Sequence, residues 1–212
     1  MPDKEETDSK GIPLKGPYPP NVNIVFLYFI TTGVFLGLMG TVCYFTIVKD
    51  NEAADEKLKL LAQYDLGYLY AALVSLFVGQ FVMGINTGNA RKYCKAKSPD
   101  QHVYEVKGAE GSKLGYVLMD TEGVNGRFNR AQRAVQNYNE TFPMNALFIV
   151  FAGFVYPKEV MILTFVFAVS RVISAWGYTS SSNGRMPGFM LSNFAMWSVA
   201  SLNIMIAYKL LS

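Results

Sequence analysis

Six residues set the chemistry to look for: Arg133, Asn137 and Glu140 at the head of one apolar stretch, and Arg171, Tyr178 and Arg185 in and just after another. Spaced i, i+4, i+7, the first three fall within an arc of about 60° on a helix turning 100° per residue, so one face carries a cation, an amide and an anion. Arg171, Ser174 and Tyr178, at i, i+3, i+7, repeat the geometry on a second helix. Ionisable groups inside a membrane are costly and mark binding sites or relays. Two such polar faces can meet inside a bundle.

The elements that must position these residues are membrane helices. The chain has 212 residues, 51% hydrophobic and 17% charged, a length that also suits one soluble domain. Its apolar residues, however, come in blocks. Ile24 to Val48 and Leu66 to Ala90 each run 25 residues without a charge, against the roughly 20 needed to cross a hydrocarbon core of about 30 Å. Three more runs follow: Thr141 to Tyr156, whose helix is expected to begin near Phe128; Val160 to about Tyr178; and Phe189 to about Tyr208. The fold class expected is an all-α integral membrane protein with five spans. The first run is too long for a signal-peptide h-region and remains as an anchor. Only Tyr156-Pro157-Lys158-Glu159 separates the third and fourth spans, which makes them antiparallel neighbours.

Outside the spans, residues 1–23 read as an irregular tail of Pro, Gly, Lys and acids. Leu58, Leu60, Leu61 and Tyr64 recur at helical spacing among charges, which predicts a short interfacial helix within 49–65. Between Arg91 and Arg127, Val103, Val106, Tyr116, Val117 and Leu118 suggest a small ordered loop or hairpin. With five spans, the tail, the 91–133 region and Arg185 share one side and carry thirteen of the nineteen Lys and Arg residues. Five lie opposite, and Arg171 lies within a span. The positive-inside rule puts the N-terminus in the cytosol, or in the matrix of a mitochondrion. A net charge of +3 gathered beside the membrane fits juxtamembrane anchoring, and no nucleic-acid partner is expected. Two distant cysteines, Cys43 and Cys94, and the single His102 predict neither a disulfide nor a metal site, and His102 is expected to be solvated.

The stretches Asn89-Ala90-Arg91-Lys92-Tyr93, Phe128-Asn129-Arg130-Ala131-Gln132-Arg133-Ala134-Val135-Gln136-Asn137, Glu140, Phe142-Pro143 and Ser170 to Tyr178 together resemble the MAPEG family of membrane proteins of eicosanoid and glutathione metabolism, in particular its type-three microsomal glutathione transferase branch. The resemblance runs from about Leu66 to the C-terminus. It implies a four-helix MAPEG-type bundle over 66–212, with 24–65 forming an additional N-terminal transmembrane helix and linker. It also implies a homotrimer that binds glutathione as co-substrate between subunits, and an apolar electrophile or lipid hydroperoxide drawn from the bilayer. On the matching positions, Arg133, Asn137 and Glu140 would hold the peptide portions of glutathione, with Arg171, Tyr178, Arg91 and Lys92 helping to bind its carboxylates. Arg185 would be catalytic, beside the sulfur. The endoplasmic reticulum is the expected membrane, a mitochondrial membrane the alternative.

Other readings stay open from the sequence. Arg133 and Glu140 also suit a helix whose charges snorkel or pair across subunits. Arg171 also suits a tie between two helices, Arg185 a solvated turn, and Tyr178 an interfacial aromatic. The chain departs from the family pattern where Ser174 stands for tyrosine, at Thr141 and Val135, and in a longer loop before Phe128. The alternative function is a non-catalytic scaffold or accessory subunit of a larger membrane complex, such as a respiratory assembly, docked through 24–48, where Gly33, Gly37 and Gly40 form a small-residue stripe.

Overall fold

A computed structural model describes residues 14–49, 51–96, 101–107 and 116–212. The first thirteen residues of the expected tail, with Lys4 and Lys10, lie outside the described residues, as do Lys97 and Lys113 of the loop. The helices are α1 (Ile24–Cys43, continued by a π-helical turn Tyr44–Val48), α2 (Glu52–Gln63), α3 (Gly67–Cys94), α4 (Gly123–Val155), α5 (Pro157–Ser180) and α6 (Met186–Leu211). Strands β1 (Tyr104–Lys107) and β2 (Tyr116–Met119) pair antiparallel, Tyr104 opposite Met119 and Lys107 opposite Tyr116, which makes the expected hairpin.

Helix α5 is the axis of the bundle, packing against α3, α4 and α6. Ala72, Ile149, Ala152, Val160 and Val199 are fully buried between these helices, while residues such as Val74, Phe151, Phe165 and Phe194 are exposed on their outer faces. That inversion is what a lipid surround permits, since the outside of such a bundle need not be polar. Helices α1, α3, α5 and α6 are each long and apolar enough to cross a membrane. Helix α4, expected as a further span, misses that composition: Arg127, Arg130, Arg133 and Glu140 occupy its first half, and Asn139, Pro143 and Asn145 make the rest less apolar. At 33 residues it is about 50 Å long, so its charged half reaches the interface while Pro143 to Val155 lie beside the other spans. It starts at Gly123, five residues before the Phe128 expected.

Only Tyr156 separates α4 from α5, and Pro157 at the first turn of α5 suits a position whose N–H would have no partner. At the same end, Lys158 Nζ meets an Asp65 carboxylate oxygen at 2.8 Å, joining the α2–α3 corner to the start of α5. At the other end Asn129, buried on α4, donates to the carbonyls of Val103 and Asp120 and accepts from the Val103 N–H. One side chain therefore fastens both flanks of the hairpin. His102, expected in solvent, is instead half-buried with its ring 6.2 Å from that of Tyr104, because the pinned hairpin brings it against the protein.

Helix α1 is attached at one end. Ile24 is buried, Tyr28 and Thr32 are half-buried, and every residue from Gly33 to Val48 is exposed. Its contacts with α3 include the Phe29 ring 5.9 Å from Phe81 and the approach of Ile24 and Tyr28 to Gly88. The preceding segment follows the same end of α3, where Lys92 Nζ donates to the carbonyls of Pro20 and Val22 at 2.8 and 2.7 Å. The α1 hydroxyls of Thr31, Thr41 and Thr46 fold back on carbonyls four residues earlier, the local way to satisfy a hydroxyl without water.

Helices α5 and α6 meet backbone to backbone. A Cβ on Gly177 would be driven into the Gly184 carbonyl, and one on Gly188 into the Ser170 carbonyl and the Ser174 backbone. The wall in each case is main chain, which cannot rotate away. Gly177→Ala is therefore expected to lower stability by about 1–3 kcal/mol, measured by denaturant titration in mixed micelles. Gly84→Ala, at a site with nothing within 4 Å, should cause no loss.

Candidate functional site: a cationic cleft between α4 and α6

The α5–α6 contact fixes where Arg185 stands. With no side chain at Gly177 or Gly184, the turn closes tightly enough for Ser174 Oγ to donate to the Arg185 carbonyl at 3.1 Å. Serine is short enough to make this contact from the buried face of α5. Arg185 is the residue immediately before α6, and its guanidinium lies 5.0 Å over the Tyr178 ring, a cation–π arrangement that steers it without neutralising it.

Arg130 braces the same region from α4. Its Nε donates to the Tyr178 carbonyl at 2.9 Å, one terminal nitrogen to the Thr179 carbonyl, and the other to the Thr121 carbonyl at 2.8 Å. A cation on the last carbonyls of α5 complements the negative end of that helix. It also ties α5 to the segment leaving the hairpin. Asn86 adds a bond from α3 to Thr179 Oγ1 at 2.7 Å.

Between α4 and α6 these constraints open a cleft of about 560 Å³, within the roughly 300–1,000 Å³ common for small-molecule sites. Arg133, Asn137, Glu140, Arg171 and Arg185 line its charged part, and Phe148, Phe167, Met196 and Trp197 its apolar part. A recess of about 20 Å³ behind it is bounded by Asn137, Arg171, Tyr178 and Arg185. Six of the eight residues singled out in the sequence are thus brought to one place. Arg133 and Glu140 pair at 3.6 Å across two turns of α4, both side chains about half exposed.

Arg171 is the outlier in energy. It is nine-tenths buried, its guanidinium lies 5.7 Å over the ring of buried Tyr138, and its Nε has no hydrogen-bond partner among the described residues. Tyr138 stacks in turn on Phe167, and its own hydroxyl is likewise unpartnered among the described residues. A buried cation with a ring but no anion among the described residues is only partly compensated.

Arg91 and Lys92 do not line this cleft. They sit on the last turn of α3, where Arg91 lies 4.8 Å over the buried Phe128 ring and Lys92 is bonded to the Pro20 and Val22 carbonyls. Sequence reasoning missed Asn145 and Asn193 as lining residues and Arg130 as a brace. Asn145 continues the α4 stripe four residues beyond Thr141, and Asn193 interrupts an apolar run, so both carried a signal. Nothing local marked Arg130. Among the described residues no group of His, Cys, Asp and Glu side chains could hold a metal ion.

The chain belongs to the MAPEG family: the family's sequence model matches residues 69–205, from the first turn of α3 into α6. That family comprises membrane proteins and includes glutathione transferases and related enzymes. Helices α1 and α2 precede the matched stretch.

Because Arg171 has no anionic partner among the described residues, its buried charge is a stability cost in the ligand-free protein. Arg171→Met, similar in volume and uncharged, should raise resistance to denaturant by about 1–4 kcal/mol. Replacing a partner in a satisfied ion pair would lower it, so the sign of the change in a denaturation curve checks the reading.

Proposed function

We propose that the cleft binds glutathione and presents its sulfur to apolar substrates arriving from the bilayer, making the protein a membrane glutathione transferase or peroxidase of the type-three microsomal kind. The observation that carries this is the charge balance of the cleft: three arginines face it against one glutamate, and Arg171 has no ion pair among the described residues. Glutathione has two carboxylates, one ammonium and, once ionised, a thiolate. Its surplus of two negative charges matches the cleft's surplus of two positive ones, with Glu140 on the ammonium and Arg133 and Arg171 on the carboxylates. Asn137, which spends its amide on no other described residue, adds a donor and an acceptor for the peptide groups, and Tyr178 closes the recess.

Arg185 is the catalytic residue of this reading. A free thiol titrates near pKa 8.5, so only a few per cent is thiolate at neutral pH. Lowering that by about two units takes roughly 2.7 kcal/mol, within reach of a guanidinium held at a partly desolvated site. In transfer, the thiolate sulfur forms a bond to the electrophilic carbon as the leaving group departs with its electron pair. In peroxide reduction, the sulfur takes the terminal peroxide oxygen and the lipid leaves as alcohol after protonation. A second glutathione then yields the disulfide and water.

The Arg133–Glu140 pair is half exposed in a single subunit, which supports closure of the cleft by neighbouring subunits in a homotrimer. Arg91 then approaches the ligand from the next subunit, while Lys92 is committed to the Pro20 and Val22 carbonyls. The excess of Lys and Arg on the side of Arg185 supports a cytosolic site in the endoplasmic reticulum, or a matrix site in a mitochondrial membrane.

A second reading, an accessory subunit of a larger membrane complex, is favoured by α1. A helix exposed from Gly33 to Val48, with nothing within 4 Å of Gly33, Gly37 or Gly40, suits packing against another protein's helix.

Mixing glutathione with the protein in detergent should give the ultraviolet absorbance of a thiolate at neutral pH. Arg185→Ala should lose that signal and about 10²-fold in turnover while still binding glutathione in calorimetry. Arg171→Met should weaken glutathione binding about 10–100-fold. Neither a signal nor calorimetric binding by the wild type would overturn the enzyme reading in favour of the accessory one.

A further inference from the structure

The deeper part of the cleft carries two amides in otherwise apolar walls. Asn145 lies on α4 and Asn193 on α6, helices that run in the same direction because one antiparallel helix, α5, intervenes. Asn145 is five residues beyond Glu140, about 7.5 Å along the helix axis, and Asn193 is eight residues beyond Arg185, about 12 Å. Asn145 therefore stands beyond Glu140 and Asn193 beyond Arg185 along their helices, on the wall that also carries Phe148, Met196 and Trp197.

The other asparagine of α6 shows what a structural amide does here. Asn203 Nδ2 donates to the Phe148 carbonyl at 2.9 Å and to the Val199 carbonyl at 3.0 Å, clipping α6 to α4. Asn193 makes no hydrogen bond to any described residue, and Asn145 makes one long contact, 3.4 Å from its Nδ2 to Thr141 Oγ1. An amide without partners in apolar surroundings is unfavourable. Two of them converging on one cavity mark a place where something polar belongs.

We propose that Asn145 and Asn193 form a polar station for the apolar co-substrate, selecting long-chain lipids that bear a hydroxyl, hydroperoxide or carbonyl oxygen about 12 Å along the chain from the Arg185 end. This rests on the reading of the cleft as the place where glutathione meets a lipid, but it concerns the lipid half alone. The amides offer two N–H donors each and an acceptor oxygen, so they match an oxygen that both accepts and donates. A plain hydrocarbon chain would displace water from them and return nothing.

The test uses the full chain in lipid nanodiscs without glutathione. The protein has two tryptophans; Trp197 lines the cleft, and Trp176→Phe removes the other, which faces a groove between α3 and α5. In that background, contact quenching of Trp197 is titrated with dibromostearic acid and with its mid-chain hydroxy derivative. The hydroxy acid is expected to bind about tenfold more tightly, and Asn193→Leu or Asn145→Leu to bring the ratio near one while binding of the unsubstituted acid is kept. Equal binding by the wild type, or a preference that survives both substitutions, overturns the proposal. So does a smaller assembly mass in Asn193→Leu with the preference intact, which would assign the amide to subunit contact. Calorimetry with glutathione on the same preparations judges the thiol site separately, so loss of one reading is distinguishable from loss of the other.

Discussion

The arrangement of this protein follows from the cost of a guanidinium inside an apolar bundle. Arg171 is buried at mid-length of α5, the helix that touches α3, α4 and α6, and no carboxylate among the described residues comes to meet it. What it has instead is the face of Tyr138, itself stacked on Phe167. A ring quadrupole offsets part of the desolvation of a cation without supplying an opposite charge, so the site keeps its appetite for an anion. Everything around Arg171 is arranged so that the cost is tolerated and the charge stays directed into the α4–α6 cleft.

Placement of Arg185 depends on an absence of side chains. Gly177, Gly184 and Gly188 let the end of α5 and the start of α6 approach at main-chain distance, and Ser174 bonds the Arg185 carbonyl across the gap. Arg130 holds the same stretch from the far side through the Tyr178 and Thr179 carbonyls. Because Arg130 also holds Thr121, just beyond the hairpin, the surface loop and the cleft share one side chain. Arg130 thus positions rather than reacts, and its five donors in a rigid fork are what allow one residue to reach three carbonyls.

Much of this was legible in the sequence because membranes simplify the code. Charge-free runs of 25 residues read directly as spans, and the i, i+4, i+7 placement of Arg133, Asn137 and Glu140 does gather them on one cleft wall. The harder parts depend on tertiary contacts. The start of α4 was misplaced by five residues because its first turns are held by Asn129 and the hairpin, whereas apolar periodicity gives little sign of them. The two carbonyl partners of Lys92 come from the segment before α1, 72 and 70 residues away in the chain, so no local pattern shows them. The partial burial of His102 beside the Tyr104 ring likewise depends on how the hairpin is pinned to α4. Asn145 and Asn193 could have been found from their isolation among apolar neighbours; Arg130 could not, since its role exists only once the end of α5 is beside it.

Helix α1 remains, secured to α3 over its first turns and exposed for the rest. A helix fixed along its length takes its angle from its neighbours, whereas one fixed at a single end takes it from the thickness of the bilayer, tilting more as the membrane thins. The chain is thus mechanically divided: four helices that keep their mutual geometry wherever the protein resides, and a fifth whose lean reports the membrane it is in. Cholesterol-rich and cholesterol-poor membranes would present the same cleft beneath two different outlines, and any partner that recognises α1 would meet the protein on terms set by the lipid.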